Sequence, residues 1–218
     1  MFGQFSESKS IFALDIETGN LLWEYKSDNS IRHNTISIGN DKVYLIDRPL
    51  AETDHINRGE KEEPLKPGNL VALDAKTGNM IWEAPTRQNL PDNYSSSSRA
   101  RPLVNDSIIF AEPETFDLFS GRVLDNNFER SYGCGIISGS KKMLLFRSAT
   151  VGYYLFDDID SGIHNYGGIR PGCWINMIPA GGLVLMPDAT NRCDCSYLIK
   201  SWIALKPEKN YRQESQTH

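Results

Sequence analysis

The 218-residue sequence contains no apolar run approaching the ~20 residues that a membrane-spanning helix needs, so no membrane span is expected. It also lacks an excess of positive charge. Lys and Arg total 23 against 28 Asp and Glu, a formal net charge of -5, and the two signs are mixed along the chain. That balance excludes the basic groove of a nucleic-acid binder and a polybasic membrane patch. Helical periodicity is absent throughout. The four histidines, His33, His55, His164 and His218, show no metal spacing. There is no Ser elbow, no phosphate loop and no H-E-x-x-H. Asp157, Asp158 and Asp160 cluster, but the roughly 12-residue loop with a closing Glu that holds Ca²⁺ does not follow, and a solvated turn is the simpler reading. No catalytic residue and no metal site are assigned. Met1 to Ser10 is polar and is not a signal peptide, as expected of a mature domain or a truncated reading frame, with a cytosolic protein as the alternative.

What the sequence does have is a repeat. Ala13-Leu14-Asp15-Ile16-Glu17-Thr18-Gly19-Asn20-Leu21-Leu22-Trp23-Glu24 and Ala72-Leu73-Asp74-Ala75-Lys76-Thr77-Gly78-Asn79-Met80-Ile81-Trp82-Glu83 both read A-L-D-x-x-T-G-N-x-x-W-E. An apolar strand ends at an Asp whose carboxylate can take turn N–H bonds. Gly supplies the positive φ of a bulged turn, and a new strand follows, carrying Trp. Weaker copies run from Phe116 to Gly121, from Asp158 to Gly162, and from Trp202 to Pro207, where Lys206 replaces Asp. The Asp positions recur roughly every 40–60 residues, the length of a four-stranded propeller blade.

Each interval holds a second hairpin. Thr35–Ile38 and Lys42–Asp47 flank Gly39-Asn40-Asp41; Pro102–Val104 and Ser107–Ala111 flank Asn105-Asp106. Gly135–Ser138 precedes Met143–Arg147, and Ile175–Pro179 precedes Leu183–Met186. The expected fold is therefore all-β: a β-propeller of four-stranded antiparallel blades over residues 1–209, with about four blades encoded, a partial ring or half of an eight-bladed one. Residues 48–68, charged and Pro-bearing, read as an inserted loop, and Gln88–Arg99 as a second one. Residues 210–218 form a polar tail expected to be disordered.

The A-L-D-x-x-T-G-x-x-x-W repeat resembles the PQQ-like, quinoprotein-type β-propeller family. The C-terminal stretch is similar to a secreted or periplasmic branch of it whose members mostly have no assigned activity. The residues that carry this are Tyr132-Gly133-Cys134, Phe146-Arg147-Ser148, Gly152-Tyr153-Tyr154, Gly167-Gly168-Ile169-Arg170-Pro171-Gly172-Cys173-Trp174, Ile178 to Leu183, and Cys193-Asp194-Cys195-Ser196-Tyr197. The resemblance implies that Trp23 and Trp82 brace adjacent blades, and that Asp15, Gly19, Asp74 and Gly78 form structural turns. Family rings have seven or eight blades, so the missing ones are expected from the rest of a parent protein or from a homodimer that completes the ring.

Cys134, Cys173, Cys193 and Cys195 are the disulfide candidates. Cys193 and Cys195 would lie roughly 6.5–7 Å apart on one strand face, awkward for a bond between them. Pairing with Cys134 or Cys173, a four-thiolate metal site and free buried thiols all remain open. Arg147, Tyr153, Tyr154, Arg170 and Trp174 are candidates for an anionic or sugar-like ligand, since Arg forks carboxylates and aromatics stack on rings. Against this stands a packing role, with the arginines bonded to blade-edge carbonyls. The expected function is a non-catalytic binding or assembly module, periplasmic or secreted, without a cofactor. One alternative is a fragment of a PQQ-dependent oxidoreductase, which would use pyrroloquinoline quinone with calcium. It needs a full ring and an axial Glu, Asn and Asp set that the sequence does not locate. The other alternative is a carbohydrate-associated domain of a larger enzyme.

Overall fold

Alternating apolar residues and Gly-bearing turns make short strands that pair in sequence order. The computed structural model describes residues 7–48, 68–86, 101–112, 114–124, 130–131, 133–158, 161–172, 175–187 and 199–206. Among these there is no α-helix. The strands are β1 (Glu7–Leu14), β2 (Leu21–Arg32), β3 (Ser37–Gly39), β4 (Lys42–Asp47), β5 (Gly68–Asp74), β6 (Met80–Thr86), β7 (Leu103–Asn105), β8 (Ile108–Ala111) and β9 (Glu114–Asp117). They continue with β10 (Val123–Leu124), β11 (Ser138–Gly139), β12 (Met143–Ser148), β13 (Thr150–Leu155), β14 (Ile163–Tyr166), β15 (Ile178–Ala180), β16 (Leu183–Met186) and β17 (Ile203–Leu205).

Three antiparallel meanders have four strands each: β3-β4-β5-β6, β7-β8-β9-β10 and β11-β12-β13-β14. The β1–β2 hairpin precedes them and joins the first through one residue pair, Ile31 with Asp47. The three-stranded sheet β15-β16-β17 follows them. The repeat sets the equivalence of strands: β1–β2 corresponds to β5–β6, the two outer strands of a blade, and β17 corresponds to β5.

The blades stack face on face, and the period of two decides which residues go where. On β5, Val71 and Leu73 face back onto the hairpin and pack with Trp23, Ile31, Val43 and Leu45. Leu70 and Ala72 face forward, with Tyr44 and Ile46, onto Ile109, Phe116 and Leu118 of the next blade. The third interface joins Phe110 to Ile137, Leu144, Phe146 and Tyr154. The fourth joins Leu145 and Val151 to Met177 and Met186. The middle of β5 is therefore apolar at successive positions, because both faces are covered; Leu70, Val71, Ala72 and Leu73 are all buried. Arg48 is buried, and so is Gly68, where a Cβ would lie 2.6 Å from the Asp47 carbonyl oxygen. Residues 49–67 of the expected inserted loop, and the tail 210–218, lie outside the described residues.

Candidate functional site

The repeat turns are built by the residues the motif names. Asp15 Oδ1 accepts the Thr18 N–H at 2.8 Å and the Thr18 hydroxyl at 2.7 Å. Asp74 does the same with Thr77, at 2.8 and 3.0 Å. Asp117 does it with Ser120, at 2.8 and 2.7 Å. In each turn the Gly N–H bonds the Asp carbonyl, and φ is +71° at Gly19, +72° at Gly78 and +71° at Gly121. These bonds favour the ionised carboxylate. The Thr18 hydroxyl first, then its amide, holds Asp15 below the usual carboxylate range. At Asp74 the Thr77 amide leads, and at Asp117 the Ser120 hydroxyl.

The fourth copy departs. Gly162 also has positive φ, +69°, and among the described residues Ser161 donates its N–H and its hydroxyl to the Asp158 carbonyl. The Phe156 N–H bonds Lys142 O, the place taken by Ala75 and Leu118 in the blades before, so this turn is longer than its spacing implies.

The tryptophans lock one blade to the next. Trp23 donates its Nε1–H to Ala75 O at 2.9 Å, and Trp82 donates to Leu118 O at 3.2 Å. Each indole lies flat on the turn glycine ahead of it. A Cβ on Gly78 would come within 2.6 Å of Trp23 Cδ2, and one on Gly121 within 2.5 Å of Trp82 Cε3. Trp23 is buried; Trp82 makes the same contact while half-buried.

The opposite end of the blades is polar and enclosed. Asp47 accepts the N–H groups of Asp28, Asn29 and Ser30 at 3.0–3.1 Å. Arg48 pairs with Glu7 at 3.1 Å. Arg130 Nε bonds both oxygens of Glu112, at 3.2 and 2.9 Å, and Arg130 Nη2 reaches Gly135 O at 2.7 Å. Asn176, buried, accepts the Arg147 N–H at 2.9 Å and donates to Cys134 O at 3.0 Å. Neither the Glu112–Arg130 pair nor Asn176 was singled out from sequence. A carboxylate, an arginine and an amide far apart in the chain carry no local pattern.

Arg147 and Arg170 sit buried at this end. Tyr153 and Tyr154 are not brought together. Tyr154 packs with Phe110 and Phe146 in one interface. Tyr153 faces the next interface and stacks on His164 with ring centroids 4.9 Å apart. Cys134 is half-buried with a free thiol. Trp174, Cys173, Cys193 and Cys195 lie outside the described residues. The acidic and amide groups just described are committed to Arg48, Arg130 and backbone groups.

Stacked four-stranded antiparallel blades, the first two contacts locked by Trp23 and Trp82 onto the turn of the next blade, define a β-propeller of the quinoprotein-like repeat class. Residues 4–139 match the PQQ-like repeat family described as "Outer membrane protein assembly factor BamB", and the chain belongs to that family. BamB from Moraxella catarrhalis is similar in fold, with a TM-score of 0.51 and 16% identity over 84% of this chain and 54% of that one. This chain thus spans about half the length of that protein. The computationally designed protein Ika4 superimposes with a TM-score of 0.49 and 12% identity, over 82% of this chain and 92% of Ika4. Quinohemoprotein alcohol dehydrogenase ADH-IIG of Pseudomonas putida is 29% identical over 99 residues, which is 45% of this chain and 12% of that enzyme. No helix among the described residues is long and apolar enough to cross a membrane.

Proposed function

We propose that this chain is a non-catalytic propeller module for protein binding and assembly, working in an exported compartment, the periplasm or outside the cell. The observation that carries the reading is the family match over residues 4–139, whose description is that of an outer-membrane protein assembly factor. The use of the motif residues supports it. Asp, Thr, Gly and Trp of each strong repeat go into turns and blade contacts, and the buried Glu112 and Asn176 go into bracing contacts. Arg147 and Arg170 fit the same bracing role. The second reading, a fragment of a PQQ-dependent oxidoreductase, is favoured by the stretch similar to the alcohol dehydrogenase.

A titration separates the two. Pyrroloquinoline quinone is added to the full chain with Ca²⁺, excess is removed by dialysis, and the quinone absorbance is read. No saturable retention is the expected result. One quinone retained per chain, lost on chelation of Ca²⁺, would replace the assembly reading with the oxidoreductase one. Osmotic-shock fractionation of cells expressing the protein in its natural host tests the compartment.

A further inference from the structure

We draw no further inference here: the strongest candidate, the surface patch of exposed apolar side chains at Met80 and Ile81, where β6 begins, and at Phe119 and Val123, around the turn into β10, carries nothing, because nothing in the structure shows what covers it.

Discussion

Placing one methyl group on the turn glycines distinguishes a backbone requirement from a packing requirement. Gly19, Gly78 and Gly121 have the same φ within a degree, so Ala at any of them meets the same left-handed backbone cost, about 1–2 kcal/mol. Gly19 has nothing within 4 Å of the new Cβ, and that cost is all it should show. At Gly78 the Cβ would sit 2.6 Å from Trp23 Cδ2 and 2.7 Å from Cε3. Either the indole slides or the turn lifts, adding an overpacking cost of about 1–3 kcal/mol and straining the Trp23–Ala75 hydrogen bond. Gly78→Ala should therefore destabilise the chain by about 2–5 kcal/mol, against about 1–2 for Gly19→Ala. Urea midpoints, measured where the oligomeric state is constant, give both values. In a Trp23→Ala background the Gly78→Ala cost should fall to that of Gly19→Ala, since the clash partner is gone. Equal costs at Gly19 and Gly78 in the parent chain would refute the indole-on-glycine lock.

Trp23→Ala should itself cost about 3–5 kcal/mol by cavity formation, and a urea-midpoint change below about 1 kcal/mol would contradict the bracing role. Glu112→Ala leaves the Arg130 guanidinium without its carboxylate at a buried position, so a loss of about 3–5 kcal/mol is expected on chemical denaturation; a neutral result would show that the charge finds water. Tyr44 is buried with no hydrogen-bond partner on its hydroxyl, and burial pushes its phenol up to about 12. Tyr44→Phe should therefore leave stability within about 1 kcal/mol of the parent or raise it, and a larger loss would reveal a hydroxyl contact. Asp15, Asp74 and Asp117 have depressed carboxyls in the folded state. Their stabilising contribution is present above the ordinary carboxylate range and is lost as pH falls through the lowered folded values. Asp74→Asn should flatten part of that acid limb of a stability–pH curve, whereas an unchanged limb would mean the unfolded chain makes the same bonds.

The sequence by itself determined the turns, the blades and their order. The motif A-L-D-x-x-T-G-N-x-x-W-E is local: the Asp carboxylate, the Thr or Ser hydroxyl and the Gly all act within one turn, so their chemistry is readable without the fold. The paired hairpins are equally local, since alternation and turn residues set them, and their observed bounds differ from the expected ones by a few residues. Only the tertiary structure decided what crosses between segments. It fixed the carbonyl that each indole reaches, put Tyr153 and Tyr154 into different interfaces, and joined Glu112 to Arg130 and Asn176 to Arg147 and Cys134. It lengthened the turn after β13 although Asp158 and Gly162 keep the spacing, because strand register is set by pairing along the whole strand. It also left Phe12, Leu14 and Trp202 exposed while their repeat counterparts Val71, Leu73 and Leu70 are buried. Burial depends on which blade stands alongside, and identical positions in a repeat cannot encode that neighbour.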